Sequence, residues 1–172
     1  MPGILVRQRI IPRITEQNML ENCDLEQCLA PASYELRVGS YFDRSANMHI
    51  ELSDQETVFV SPGGFALIGT LERVHMPNDI VGFMYLRSTY ARRGYVPWFM
   101  GLVDPGYEGG LTLTIHNLTS ELIPIHGHER ICHLVFEELE EPVDRGYEGA
   151  YQHSAGATPP AYVSKIRIIG TT

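Results

Sequence analysis

Short apolar runs broken by turn residues fill the chain between 31 and 136, and this pattern predicts many short strands in place of helices. The runs occupy 34–38, 57–60, 65–71, 80–86, 111–117, 122–125 and 130–137. Between them lie Ser61-Pro62-Gly63-Gly64, Pro77-Asn78-Asp79, Asp104-Pro105-Gly106 and His126-Gly127-His128, residue types that tight turns require. Strands at this spacing favour antiparallel pairing, which needs no helical crossovers, in a mostly β sandwich, barrel or jelly roll with one or two short helices. The best helical pattern is 15–28, where Thr15 offers a cap ahead of Met19, Leu20, Leu25 and Cys28. From 144 to 158 the chain is rich in Gly, Tyr, Ala and Ser without any period, a composition shared by disordered tails and by flaps that close on ligands.

A length of 172 residues suits one core, so a single domain is expected over 1–172, with an N-terminal segment at 1–30 and a tail at 144–172. No run of eighteen apolar residues and no charged-then-apolar leader stands in the sequence. Neither a membrane span nor a secretory signal is therefore expected, and the cytoplasm is the expected location. The formal net charge of -8 opposes binding of a nucleic acid polymer, which needs basic surface to displace counterions. A small anion remains compatible, because a few local arginines can dominate one pocket. Cys23, Cys28 and Cys132 are odd in number and form no paired Cys-x-x-Cys motifs, the pattern of free thiols.

The densest chemistry lies in Arg87-Ser88-Thr89-Tyr90-Ala91-Arg92-Arg93, directly after an apolar run. Guanidinium groups and hydroxyls at a strand end suit a polyphosphate, and a solvated arginine-rich edge accounts for the same residues equally well. No glycine-rich loop ending in Lys and Ser/Thr is present, which excludes a P-loop enzyme. Asp104-Pro105-Gly106-Tyr107 is a good turn in its own right. As chemistry, its carboxylate at a fixed turn suits orienting and deprotonating a water, with Tyr107 placed to lie against a sugar. His126, His128 and His133 lack a carboxylate or cysteine at ligand spacing to complete a tetrahedral zinc set, and Ser88 sits in no nucleophile elbow.

Taken in order, these segments resemble the dCTP deaminase/dUTPase family, in its deaminase-like branch, from about Ser33 to Thr158. Ser33-Tyr34-Glu35-Leu36-Arg37-Val38-Gly39 is similar to the family's Ser-x-Asp-Leu-Arg-Leu-Gly strand, and 65–71 with Pro77-Asn78-Asp79 to the strand and turn that follow. Arg87 to Arg92 resembles the phosphate-binding Arg-Ser-Ser/Thr-x-Ala-Arg motif, 101–110 the Gly-x-Ile-Asp-x-x-Tyr-x-Gly segment, and 127–136 the later Gly-x-x-Ile-x-x-Leu-x-Phe strand. Residues 147–158 are similar to the flap Tyr-x-Gly-Lys-Tyr-Gln-Gly-Gln-x-Gly-x-Thr.

The resemblance implies a distorted β-barrel or jelly roll of the dUTPase type, assembled as a homotrimer with active sites at subunit interfaces. It implies Mg2+ held mainly by the substrate's triphosphate and water. Arg87, Ser88 and Arg92 would grip phosphates, Asp104 would activate water, and Tyr107 would pack on the deoxyribose within a sugar and base pocket that includes Val103, Thr114 and Asn117. Tyr147, Tyr151, Gln152 and Ser154 would close over the triphosphate.

The departures decide which reaction to expect. Deaminases of the family carry a glutamate in the strand after the Asp turn, and Thr114 occupies that position here. A threonine hydroxyl does not ionise near neutral pH, whereas positioned acid–base groups contribute about 10²–10⁴ in rate. Hydrolysis of dUTP to dUMP and pyrophosphate is the expected reaction. Deamination of dCTP, alone or coupled to hydrolysis with His116 or another group replacing the glutamate, is the alternative, and a non-catalytic nucleotide-binding relative is a third. Ala150 stands where the flap has Lys and Ser154 where it has Gln, which bears on triphosphate affinity. Glu35 replaces the early Asp, which bears on contacts around the cation.

Overall fold

A computed structural model describes residues 2–44, 46–99 and 101–161, so the last part of the expected tail, 162–172, lies outside the described residues. Within them the order is β1 (Gly3–Ile4), α1 (Arg7–Thr15), β2 (Leu20–Glu21), β3 (Tyr34–Asp43), β4 (Met48–Glu51), β5 (Thr57–Val60), β6 (Phe65–His75) and β7 (Ile80–Leu86). It continues through α2 (Ser88–Arg92), β8 (Tyr95–Phe99), β9 (Leu102–Val103), β10 (Glu108–Asn117), β11 (Ile123–His126) and β12 (Arg130–Glu138). The protein is mostly β, and each of the seven apolar runs falls on a strand apart from Leu122, which precedes β11.

The main sheet runs β8-β10-β6-β3-β12-β7-β9, with β1 added to β12, β2 to β6 and β4 to β3, while β5 and β11 pair separately. Its ladders are antiparallel and slip register at Val38/Ser40, Gly110/Thr112, Thr114/Ile115 and Arg130/Cys132. Each slip bends its strand and adds local twist, and together they curl the sheet into a half-barrel. The inner layer is read most plainly on β10, where Leu111, Leu113, Ile115 and Asn117 are buried and the alternate Thr112, Thr114 and His116 are half-buried on the other face.

The helix expected at 15–28 is overturned. Thr15 closes a helix instead of capping one, and its hydroxyl donates back to the Ile11 carbonyl at 3.1 Å. Asn18 and Asn22 adopt φ of 53° and 56°, a left-handed geometry that asparagine tolerates and that stops helix propagation between them. Leu20 and Glu21 then pair with β6, and Asp24 turns the chain by accepting from the backbone N–H groups of Glu26 and Gln27 at 3.1 and 2.9 Å. The real helix, α1, buries Ile10 and Ile14, one turn apart. It is tied down by Arg13, 2.7 Å from Asp79 and 3.1 Å from Glu138, and by Arg9, 2.6 Å from Glu138. Among the described residues no helix is long and apolar enough to cross a membrane.

Candidate active site

Asp104 opens the turn from β9 into β10, and the backbone N–H of Tyr107 returns to its carbonyl at 3.2 Å. Pro105 and Gly106, the latter at φ 78°, occupy the central positions that a type II turn assigns to Pro and Gly. Glycine is required for a second reason: a Cβ on Gly106 would stand 2.7 Å from the Cα of Gly146. The tail passes that closely because Tyr147 donates its N–H to the Pro105 carbonyl at 2.8 Å. The Asp104 carboxylate is half-buried and makes no hydrogen bond or ion pair with any described residue. It lines a cavity of about 790 Å³.

The floor of that cavity is laid on cross-strand rows of β3, β6 and β10, from which Phe42, Leu67, Thr112, Thr114, Phe65 and His116 line it. Register pairs Ser40 with Gly69 and Gly69 with Thr112, then Phe42 with Leu67 and Leu67 with Thr114. Two residues further along the strands, Phe65 faces His116, with Arg44 above the Phe65 ring.

The tail, whose composition left open disorder or closure, lies over the first row of its own chain. Ala157 N–H donates to Ser40 Oγ at 3.0 Å, Thr112 Oγ1 donates to the Gly156 carbonyl at 2.8 Å, and Thr158 N–H donates to Thr112 Oγ1 at 3.1 Å. Ala157 also packs on Phe42 and Leu67. Gly69 makes this contact possible, since a Cβ there would lie 2.1 Å from the Ala157 nitrogen. Gly69→Val is therefore expected to lift the tail: hydrogen exchange at the Ala157 and Thr158 amides should accelerate roughly tenfold or more while Leu113 and Ile115 keep their protection. Unchanged exchange at Ala157 would show that these contacts do not hold the tail.

Val103, Asp104, Tyr107, Thr114, Tyr147, Tyr151 and Ser154 come together around this one cavity. Tyr107 is buried, donates its hydroxyl to the Gly110 carbonyl at 2.7 Å, and meets Tyr147 edge to face at 5.4 Å. Burial pushes that hydroxyl above the usual tyrosine range, so it stays protonated at neutral pH. Gln152 lies outside the lining; its amide clips the tail by donating to the Gly106 carbonyl at 2.9 Å and accepting from Glu108 N–H at 3.0 Å. Asn117 is also elsewhere. It is fully buried, with its Nδ2 donating to the Val60 and Glu121 carbonyls and its Oδ1 accepting from the N–H and hydroxyl of Thr119.

Of the arginine motif, Arg87 lines a different cavity, of about 490 Å³, together with Arg37, Arg130, His128 and Glu129 among others. Arg87 Nε lies 2.9 Å from Glu35, and its Nη1 donates to the Arg130 carbonyl at 3.0 Å. Glu35, expected to bear on the cation, instead holds arginines, reaching Arg130 at 2.7 Å with its second oxygen. Ser88 and Arg92 are exposed on α2 and line neither cavity.

Among the described residues no group of three or more His, Cys, Asp or Glu could hold a metal ion, and Asp104 is the one Asp or Glu lining the larger cavity. A single carboxylate beside open volume fits an ion carried mainly by phosphate oxygens and water, not one caged by protein. The residues that motif reading passed over are Arg44, Phe65, Phe42 and Leu67 on the cavity floor, and Arg130 beside Arg87. For the floor, the usable signal was the alternation along 65–69, which puts Phe65, Leu67 and Gly69 on one face.

A curled antiparallel sheet with one unpaired carboxylate turned into a tail-covered cavity defines the class of site. The dCTP deaminase-like family model matches residues 4–139, and the chain belongs to that family. It is 43% identical over 129 residues to dCTP deaminase of Thermococcus sibiricus, covering 75% of this chain and 81% of that protein. It is 33% identical over 145 residues to the dUMP-forming dCTP deaminase of Persephonella marina, covering 76% and 81%. In fold it resembles the crystal structure of 2'-deoxycytidine 5'-triphosphate deaminase from Agrobacterium tumefaciens, with a TM-score of 0.67 and 21% identity. That match covers 80% of this chain and 48% of the other, so the chain spans about half of that protein's length.

Proposed function

We propose that this protein hydrolyses a pyrimidine deoxynucleoside triphosphate, with dUTP as substrate and dUMP and pyrophosphate as products. The observation that carries the reading is the cavity's acid content: Asp104 is the one carboxylate among the described lining residues, and Thr114 stands where the family's deaminases place a glutamate. Asp104 accepts a proton from a bound water, whose oxygen attacks the α-phosphorus. The bond from that phosphorus to the bridging oxygen breaks, and pyrophosphate leaves. Mg2+ held mainly by the triphosphate and water would neutralise phosphate charge in this cavity. Tyr107 and Tyr147 wall the sugar end, and Tyr151 and Ser154 cover the phosphates.

Arg87 and Ser88 lie outside the Asp104 cavity of their own chain, which supports assembly as a homotrimer in which a neighbouring copy brings these groups to the cavity. The second reading, deamination of dCTP with or without hydrolysis, is favoured by the names of the relatives and by His116, which shares the cavity face with Thr114. Incubation of the purified protein with Mg2+ and either dUTP or dCTP separates the two. Pyrophosphate from dUTP without ammonia from dCTP is expected; ammonia release overturns the hydrolytic reading, and binding without turnover points to a non-catalytic relative.

A further inference from the structure

We propose that Arg44, Phe65 and His116 form a shelf on which the nucleobase lies, held by ring stacking; this rests on the reading of the cavity as a nucleotide site. Phe65 and His116 are direct cross-strand partners of β6 and β10. Their rings stack at 5.2 Å between centroids with 17° between planes. The Arg44 guanidinium lies 4.7 Å from the Phe65 centroid. All three line the cavity that holds Asp104, and they occupy the row beyond Thr114, about 7 Å further along the strands at two residues per row.

Two features mark the row as a surface made for a flat ring. Phe65 keeps 38% of its surface exposed, so an aromatic side chain at the cavity wall is left with open area that the fold does not cover. The Arg44 guanidinium above it also gives this end of the cavity a positive charge, opposite to that of Asp104. A base offers such a surface a π-face and carbonyl oxygens, both complementary to a guanidinium-capped ring pair. The end nearer Asp104, with its turn and the covering tail, is then left for sugar and phosphates.

Calorimetric titration with the non-hydrolysable α,β-imido analogue of dUTP and with inorganic tripolyphosphate, both with Mg2+, tests the assignment. Stacking on an aromatic side chain is sequence-tolerant and substantial, so Phe65→Leu and His116→Ala should each weaken the analogue by about tenfold. Tripolyphosphate, which has no base, should bind all three proteins alike. Full affinity for the analogue in both variants overturns the shelf alone, as does an equal loss for tripolyphosphate. A wild-type protein that binds no nucleotide overturns the reading of the whole cavity and the shelf with it. Thermal midpoints within a few degrees of wild type confirm that the variants fold; both side chains are partly exposed, and leucine keeps the apolar character of position 65.

Discussion

Asp104→Asn is expected to lower dUTP turnover by about 10²–10⁴-fold, the range that a positioned general base contributes. Asparagine keeps the size and the turn-opening preference of aspartate, so the chain should still fold and the cavity should keep its shape. What it loses is the proton acceptor. The native carboxylate has no protein partner among the described residues, so its removal leaves no buried cation or donor stranded. Steady-state pyrophosphate release, compared with thermal midpoint, makes the separation. A collapse of stability together with activity would mean that Asp104 serves the turn, and unchanged turnover would place the base elsewhere.

Thr114→Glu carries the second large effect, because it places an acid on the cavity face where wild type has only a hydroxyl. Position 114 is half-buried, opens onto about 790 Å³ of space, and lies between Thr112 and His116 on the same side of β10. A longer side chain therefore has room. Ammonia release from dCTP is expected to emerge at about 10²-fold above the background that wild type gives, at the low end of what an added acid–base group supplies. An enzyme-linked ammonia assay reads it. Ammonia release by wild type itself means that another group is moving protons at the ring and the hydrolytic reading fails; no ammonia from either protein would show that an acid at position 114 does not reach the base.

Much of the fold was legible because its determinants are local. The runs at 57–60 and 80–86 became strands with those same ends, since alternation and flanking turn residues act within a few positions of themselves. The helix was misplaced for equally local reasons. Pro12, inside α1, argues against a helix there, and Met19 and Leu20 imitate a helical stripe although strand pairing with β6 is what covers Leu20. Of the site, the Asp104 turn and the tail tyrosines could be named in advance because they stand in contiguous motifs. Asn117 sat in the same kind of motif and turned out to satisfy the hydrogen bonds of a loop end.

Antiparallel strands, the acid-bearing turn and the order of the motifs were written in the amino acids, since each depends on neighbours in the chain. Which side chains share a wall was not. Phe65 meets His116, Gly69 meets Ala157, and Arg87 lines a different cavity from Asp104 because strands distant in sequence pair in one register. That register is selected by burial of the sheet's inner face, a property of the folded molecule as a whole.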